Sequence, residues 1–430
     1  MTHRRSFLKQ AAGVLGATAL APIIATDRML ARTLRDLGEA KDQGGLDAVR
    51  LRDEYLLGPD VTYLNHASIG TIPRAVLEAH KAYLSVCETN PWLYMWGGAW
   101  EAPREHVRAL AAETLGCAAS AVAITHNTTE GFSLLAQGLP LGPGDEVLFS
   151  SLNHDGASVG FTHHAATRGY SVRTFPFPLE EASRLSAADV VALHVDAIRP
   201  ETRLLVFPHV DNIVGIRHPL VELSAAAHDR GVEFVAADGA QTVGMLGLEL
   251  AASGIDFYAA SPHKWVQSPK GLGLFYLREE HIETLRPMWV TWGQRRWAGT
   301  VRRFEDYGTR NFPALIALGD ALEFQAAIGQ RAKDARYGHM FETLRTGVER
   351  SEGFGWASPP DFDRGASLVA IAVDGMDSGA FSSRMQEHGF IFRPFEIPGL
   401  NSVRISPNMM TTEDELTGFF EVGSHILAEG

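Results

Sequence analysis

The sequence predicts an α/β fold, with a large, doubly wound, mainly parallel sheet and a smaller C-terminal α+β domain. Three short apolar runs, residues 232–237, 256–260 and 271–277, have the length and two-sided hydrophobicity of buried strands. Asp238 follows the first run, and Ser261 to Lys264 follow the second. Because ligands of such sheets bind beyond the carboxyl ends of the strands, these polar side chains mark the expected site. The third run returns the chain through the sheet beside them.

The same alternation of strands and helices continues through residues 61–312, the predicted large domain. Residues 313–430 are predicted to form linking helices and the small C-terminal domain. Apolar periodicity predicts further strands at residues 122–126, 146–150, 202–210, 367–373 and 403–406, helices at 127–139 and near 378–388, and two helices within 313–350.

Asp238 and Lys264 suit the chemistry of pyridoxal 5′-phosphate (PLP). A lysine amine forms a Schiff base with the PLP aldehyde, and an acid keeps the pyridine nitrogen protonated so that the ring accepts electrons. Either residue alone would more simply be a helix cap or a solvated lysine. Four neighbouring residues favour the cofactor site: Gln241, Ser261, His263 and Trp265.

These polar segments resemble those of a known family, the class V aminotransferase superfamily, whose members are fold-type I PLP-dependent enzymes. The resemblance lies in three motifs: Asp238-Gly-Ala-Gln241, Ser261-Pro-His263-Lys264 and Lys270-Gly-Leu-Gly273. It implies that Lys264 forms the Schiff base and that Asp238 pairs with the pyridine nitrogen. It also implies a bond from Gln241 to the ring oxygen, and phosphate contacts from Ser261 and His263.

Other residues of the large domain match the same family. Thr128 and Thr129 begin a predicted helix, where hydroxyls and free N–H groups suit a phosphate, although Thr128 could also be an ordinary N-cap. The resemblance places His154 against the face of the PLP ring and Asn212 at the ring oxygen. It implies that Thr309 reaches the phosphate of a neighbouring subunit, so that a homodimer shares its active sites.

Three residues are candidate substrate ligands. Arg404 matches the family arginine that binds the substrate α-carboxylate in a bidentate pair. Asn65 lies within residues 61–73, which resemble the family's strand and loop along the substrate cleft and would otherwise be a plain turn. Arg393 is a second arginine candidate, for a distal carboxylate. The expected substrate is a small molecule, either an amino acid or a peptide-like compound.

The resemblance leaves the reaction open among transamination, epimerisation and a β-lyase or kynureninase-like reaction. Desulfurases of the superfamily use a cysteine in the C-terminal part of the chain, and no cysteine follows Cys117, which excludes that mechanism. The same residues could also belong to a PLP-binding protein without turnover, or the chain could be a purely structural dimer. The complete set of Asp238, Lys264 and Arg404 favours an enzyme.

The N-terminus carries a predicted export signal. Residues 3–9, His-Arg-Arg-Ser-Phe-Leu-Lys, resemble a twin-arginine motif, and a short apolar run follows at residues 11–25. Residues 1–31 are therefore the predicted signal segment, whose cleavage position stays open, and residues 32–60 are a predicted arm and helix. Export by the twin-arginine machinery predicts a periplasmic enzyme. The chain also resembles periplasmic PLP enzymes that modify the glutamyl residue of pyoverdine siderophores.

Composition and charge limit the partners. The 430-residue chain has a net charge of −13, which argues against nucleic acid even though residues 287–303 combine Trp and Arg. Two cysteines predict no disulfide framework, and the histidines and acids lack metal-ligand spacing, so no metal site is predicted. The aromatic segment 90–96 is expected to pack against a partner subunit or to wall the pocket.

Overall fold

The computed structural model describes residues 29–37, 48–397 and 399–429 of the chain. The predicted twin-arginine motif and the apolar run after it lie outside the described residues. Two helices belong to the predicted N-terminal arm: α1 covers residues 29–37 and α2 covers Ala48–Arg52.

The remaining elements alternate along the chain as an α/β fold requires. The strands are β1 Thr62–Tyr63, β2 Val122–Thr125, β3 Glu146–Ser150, β4 Ser171–Phe175, β5 Thr202–Pro208, β6 Phe234–Asp238, β7 Phe257–Ala260, β8 Gly273–Leu277, β9 Phe354–Trp356, β10 Val369–Val373, β11 Phe390–Ile391, β12 Arg393–Ile397 and β13 Leu400–Ile405. The helices after α2 are α3 Arg74–Thr89, α4 Pro91–Met95, α5 Glu101–Leu115, α6 Thr128–Gly138, α7 Asp155–Arg168, α8 Ala187–Ala197, α9 Leu220–Asp229, α10 Gly293–Arg296, α11 Phe312–Ile328, α12 Gln330–Arg350, α13 Ser378–Glu387 and α14 Glu413–Ala428.

Seven strands form the large sheet, in the order β2-β8-β7-β6-β5-β3-β4. Every neighbouring pair is parallel except the two pairs that involve β8, which runs antiparallel to β2 and to β7. The predicted mainly parallel sheet is therefore confirmed, including the return strand after the lysine loop. Since β5, β6 and β7 run side by side, the polar residues that follow them meet at one edge of the sheet.

Both faces of the large sheet are covered, because successive residues along its strands enter two different hydrophobic cores. In β3, Leu148 packs into one core and Phe149 into the other, and in β5 Leu205 and Val206 divide in the same way. Such strands have no solvent-facing side, which explains why their sequences are continuous apolar runs. Helix α6 contributes Phe132 to the second core.

The C-terminal domain contains a four-stranded antiparallel sheet in the order β12-β13-β10-β9. The predicted strands at β10 and β13 and the helix α13 between them are confirmed, whereas β9, β11 and β12 were not predicted. Strand β12 is partly exposed along its whole length, so it lacks the alternation of buried and exposed residues by which a strand is recognised.

The start of the large domain is joined to the C-terminal domain by backbone pairing. Strand β1 pairs in parallel with β11, and Asn65 forms an isolated parallel bridge with Ser406. This pairing brings the segment around Asn65 to the end of β13.

Helices α11 and α12 meet at Gly329, where the angle between them is 76°. By length and composition, this bent pair could together span a membrane. No single described helix is long and apolar enough to do so alone.

Candidate active site

A cavity of about 280 Å³ lies at the carboxyl ends of β5, β6 and β7. Most of the predicted cofactor residues line it, although they come from separate parts of the chain. The predicted residues on its wall are Thr128, Thr129, His154, Asn212, Asp238, Gln241, Ser261, His263 and Lys264. Ser68, Asn127 and Gly156 also line the cavity and were not predicted as site residues.

Asp238 ends β6 with its carboxylate buried at the cavity. Its Oδ1 accepts a hydrogen bond from the backbone N–H of Ala240 at 2.9 Å. Burial raises the pKa of Asp238, although the Ala240 N–H and the charges of Lys264 and His154 oppose the shift. A carboxylate in this position gains most from a cationic partner, such as a protonated pyridine nitrogen.

Gln241 is oriented by bonds at both ends of its amide. Its Nε2 donates to the carbonyl of Ala67 at 2.9 Å, and its Oε1 accepts from Nε1 of Trp265 at 2.9 Å. A primary amide carries two N–H donors, so one remains for a ligand oxygen in the cavity. This geometry suits the predicted contact with a ring oxygen.

Lys264 is the buried amine of the cavity. Burial lowers its pKa to about 8, the charges of Arg404 and Arg393 act in the same direction, and Asp238 opposes them. About a tenth of the amine is therefore unprotonated at about pH 7, far more than for a lysine of ordinary pKa, and this is the form that attacks a carbonyl. Gly70 packs directly on the backbone of this loop: its N–H donates to the His263 carbonyl at 2.9 Å, and a Cβ there would overlap the Lys264 carbonyl.

Hydroxyl groups and a helix N-terminus meet at one end of the cavity. Asn127, not Thr128, is the N-cap of α6, since its side chain accepts from the Glu130 N–H at 2.9 Å. The interpretation of Thr128 as an N-cap is therefore wrong. Thr128 instead contacts Ser261, whose Oγ lies 3.0 Å from the Thr128 nitrogen and 2.8 Å from its Oγ1. This cluster provides hydroxyls beside the positive end of a helix, as a phosphate requires.

His263 adds a neutral imidazole to the same cavity. Burial, with the charges of Lys264 and Lys270, lowers its pKa to about 4. Its Nδ1 is buried and has no hydrogen-bond partner among the described residues. A buried polar atom without a partner is costly, so a ligand that bonds to this nitrogen would be stabilised.

His154 is held at the rim of the cavity by a capping interaction. Its Nδ1 accepts from the Gly156 N–H at 3.0 Å, so His154 is the N-cap of α7. An imidazole that accepts at Nδ1 is neutral and carries its proton on Nε2. Partial burial lowers the pKa of His154, with the charge of Asp238 opposing the shift. Gly156 permits this arrangement because a Cβ there would lie 2.7 Å from the Thr129 hydroxyl.

Arg404 extends from the C-terminal domain to the wall of the cavity, where it contacts Asn212 and Ser68. It is 1% exposed, and its guanidinium donates to the Asn212 carbonyl at 2.8 Å, to Asn65 Oδ1 at 3.2 Å and to Ser68 Oγ at 2.6 Å. Burial and the charge of Arg393 lower its pKa to about 9. All three acceptors are neutral, so they orient the guanidinium without neutralising its charge.

Four predicted residues do not line this cavity. Arg404 contacts Asn212 and Ser68 of the cavity wall, and Asn65 contacts Arg404. Thr309 is exposed, in the loop after Gly308, and Arg393 is exposed on β12 opposite Arg404. The segment 90–96 does not line it either: Tyr94 is buried in the core, while Trp92 and Trp96 are on the surface. The prediction that this segment walls the pocket therefore does not hold for the cavity of its own chain.

One group of acidic and imidazole side chains lies elsewhere, at Asp256, Glu280 and His281, with potential metal-ligand atoms within 4.8 Å of one another. Arg278 and His228 also lie within 3.4 Å of the Asp256 carboxylate. Because arginine and histidine already surround this acid, the group is a network of ion pairs.

A sequence profile described as aminotransferase class V matches residues 62–414. The chain belongs to the class V aminotransferase family. It is 29% identical to isopenicillin N epimerase of Streptomyces clavuligerus, over 85% of this chain and 94% of that protein. It is 30% identical to isopenicillin N epimerase of Amycolatopsis lactamdurans, with coverages of 85% and 95%.

Solved structures of similar proteins show the same fold. An apo cysteine desulfurase from Thermococcus onnurineus NA1 superposes with a TM-score of 0.76 at 21% identity, covering 89% of this chain and 98% of that one. A variant of C-DES with glycine covalently linked to its PLP cofactor superposes with a TM-score of 0.77 at 24% identity, covering 87% and 98%. This class V aminotransferase-family chain therefore has the fold-type I PLP-dependent transferase fold.

The chain is a PLP-dependent enzyme by its family, and the residues of its cavity fit that cofactor. Lys264 would supply the amine for the aldehyde, and Asp238 the acid for the pyridine nitrogen. Thr128, Ser261 and Nδ1 of His263, which has no partner among the described residues, would supply groups for the phosphate.

Proposed function

We propose that this class V aminotransferase-family enzyme acts at the α-carbon of an amino-acid or glutamyl-type substrate, by transamination or epimerisation. The observation that carries the proposal is the convergence of the buried Lys264 amine, the Asp238 carboxylate and the Arg404 guanidinium around one small cavity. When bound, PLP supplies an electron sink for the negative charge that develops at the α-carbon.

Three residues of the protein then have separate roles in the reaction. Arg404, oriented by Asn65 and Ser68, binds the substrate carboxylate and so fixes the position of the α-carbon. Asp238 stabilises a proton on the pyridine nitrogen. Lys264, whose pKa is about 8, can both accept the α-proton and return it near neutral pH. Return of a proton to the opposite side of the α-carbon gives an epimer, whereas transamination releases a keto acid.

A binding protein without turnover is the weaker candidate. Retention of PLP would require the phosphate cluster and Asp238, but it would not require a buried arginine whose charge acts on Lys264. The similarity to isopenicillin N epimerases along 85% of the chain further supports chemistry at the α-carbon. A β-lyase or kynureninase-like reaction would use the same residues. It would break the bond from Cβ to its substituent after the α-proton is removed, whereas transamination and epimerisation return a proton and leave that bond intact.

We also propose a homodimer with shared active sites. The support is a set of exposed aromatic side chains, Trp92, Trp96 and Trp292, which are 74%, 62% and 80% exposed in the isolated chain. Large exposed aromatic residues are typical of protein interfaces. Thr309 is exposed beyond the cavity of its own chain and is free to contact the phosphate in a partner.

The proposed location is the periplasm, with a role in maturation of a secreted metabolite such as a siderophore. The support is the resemblance of residues 3–9 to a twin-arginine motif and the resemblance of the chain to pyoverdine-modifying enzymes. Cell fractionation of the full chain, with Arg4 and Arg5 both changed to Lys, tests the route. Wild-type protein should be found in the periplasm and the double variant in the cytoplasm; equal distribution of the two would refute export by this route.

The absorption spectrum of the purified protein tests the proposed chemistry. Wild-type protein should show the visible band of lysine-bound PLP, and Lys264→Ala should lose that band while retaining its circular dichroism spectrum. Candidate amino acids and glutamyl peptides are then added without a keto acid. Loss of the band with release of a keto acid indicates transamination, whereas solvent exchange of the α-hydrogen with a persistent band indicates epimerisation. A protein that cannot be reconstituted with PLP would refute the proposal.

A further inference from the structure

Two arginines lie opposite each other on neighbouring strands beside the cavity. Arg393 of β12 and Arg404 of β13 are direct partners in the antiparallel register. Residues directly opposite in such a pair project from the same face of the sheet. Their guanidinium carbons lie 5.1 Å and 5.4 Å from the centre of the same aromatic ring, Phe395, so both cationic groups share one local surface.

The two arginines differ in burial. Arg404 is 1% exposed and contacts Ser68 of the cavity wall, whereas Arg393 is exposed. The inner cation is therefore enclosed beside Lys264, and the outer one faces solvent. A molecule bound to both would have one end at the buried guanidinium, which contacts Ser68 of the cavity wall, and the other end at the exposed guanidinium.

Like charges opposite each other on a sheet destabilise it unless an anion compensates them. Among the described residues, neither arginine forms an ion pair with an acid, and Arg404 bonds only to neutral oxygens. Asp211 is the acid whose charge acts on Arg404. Its carboxylate oxygens already accept hydrogen bonds from the backbone N–H groups of Ile213, Val214 and Ile216. The cationic pair is thus left for a ligand to compensate.

The phosphate of the cofactor is not the anion that this pair requires. Groups for the phosphate are already provided by Thr128, Ser261 and the N-terminus of α6. A single substrate carboxylate would compensate Arg404 and leave Arg393 without a partner.

We propose that Arg393 and Arg404 form a paired subsite for amino-acid substrates that carry a second, free carboxylate. This inference rests on the proposed function and adds the substrate class to it. Arg404 binds the carboxylate next to the reacting carbon, and Arg393 binds the distal one at the entrance of the cavity. The aromatic ring of Phe395 lies beside the path between them.

Binding of unreactive acids to the PLP-loaded protein tests the subsite without turnover. Calorimetry would compare the dicarboxylates succinate, glutarate and adipate with the monocarboxylate butyrate. At least one dicarboxylate should bind the wild-type protein about tenfold more tightly than butyrate, because it forms a second charge-assisted contact. Arg393→Gln should remove this preference while leaving butyrate binding unchanged, and Arg404→Lys should weaken binding of both kinds of acid.

Arg230→Gln is the matched control for the loss of one positive charge, since Arg230 is exposed at the C-terminal end of α9. It should behave as the wild-type protein does. The paired subsite would be overturned, but not the proposed function, if the wild-type protein bound glutarate, adipate, succinate and butyrate with equal affinity. The same conclusion would follow if Arg393→Gln lost equal affinity for dicarboxylates and for butyrate. Failure of butyrate and of every dicarboxylate to bind the PLP-loaded protein would overturn both.

Discussion

Acidification from about pH 7 to about pH 5 should destabilise the fold through a group of buried histidines. Burial lowers the pKa of His66 and of His209 to about 3, lowers that of His194 to about 4, and lowers that of His218 well below its ordinary value. The unfolded chain binds a proton at each of these sites below about pH 6.5, whereas the folded chain does not. Stability is therefore complete above about pH 6.5 and falls as the pH decreases toward the folded-state pKa values.

The size of this effect follows from the difference between the two pKa values. A histidine with a pKa of about 4 when folded and about 6.5 when unfolded loses about 2 kcal/mol of stabilisation between about pH 7 and about pH 5. His66, His194 and His209 together would lose about 6 kcal/mol, which is comparable to the total stability of many domains, and His218 adds to this loss. We therefore expect the protein to unfold at about pH 5. Exposed carboxylates are still largely ionised at about this pH.

His194 is the best single site for the measurement. It is fully buried among Phe175, Phe177 and Phe207, and its Nδ1 lies 2.8 Å from the Val190 carbonyl. His194→Gln cannot titrate, so its unfolding free energy should fall by about 2 kcal/mol less than that of the wild-type protein between the two pH values. The pH-independent cost of the substitution cancels in this comparison.

Urea unfolding of the cofactor-free protein at a series of pH values gives the required free energies. Use of the cofactor-free form removes the pH dependence of PLP binding from the measurement. His388→Gln, at an exposed position after α13, is the control and should lose as much stability as the wild-type protein does. The same pH dependence in His194→Gln and in the wild-type protein would refute the reasoning.

Three further substitutions test the geometry of the site. Gly156→Ala should weaken PLP retention, measured by dialysis, because its Cβ would lie 2.7 Å from the Thr129 hydroxyl; unchanged retention would contradict the close approach. Gln267→Gly should lower the urea unfolding free energy by about 1 kcal/mol, because it removes the acceptor for the Tyr55 hydroxyl, even though glycine suits the φ of +62° at this position. Arg404→Lys should raise KM about tenfold or more in steady-state kinetics, since lysine cannot form the bidentate contact; an unchanged KM would exclude Arg404 as the carboxylate ligand.

The core of the large domain could be predicted from sequence because its strands are buried on both faces. Strand β3 has the predicted bounds, β6 ends at the predicted Asp238, and β7 ends at Ala260, directly before the predicted Ser261. Strands β4 and β12 were not predicted. Both are partly exposed and mix polar with apolar residues, so neither the continuous apolar run nor a strict alternation identifies them.

Several site residues could not be identified from local sequence. Ser68 is a common residue in a turn, and only its 2.6 Å contact with Arg404 shows that it orients this arginine. His154 was predicted to stack on the cofactor ring, and its capping bond to Gly156 was visible only in the structure. Asn127 before two threonines is an N-cap signal that could have been recognised in the sequence.

The sequence by itself determined the cofactor chemistry of this protein. Asp238 and Lys264 are placed by the ends of two neighbouring apolar strands, and parallel strands bring their carboxyl ends together without further information. Only the tertiary structure decided how the substrate end of the cavity is built. Arg404 meets Asn65 and Ser68 across separations of 339 and 336 residues, and these contacts depend on the pairing of β1 with β11 and on the register of β12 with β13. Such contacts depend on how distant segments of the chain pack together, and no local pattern of side chains encodes that packing.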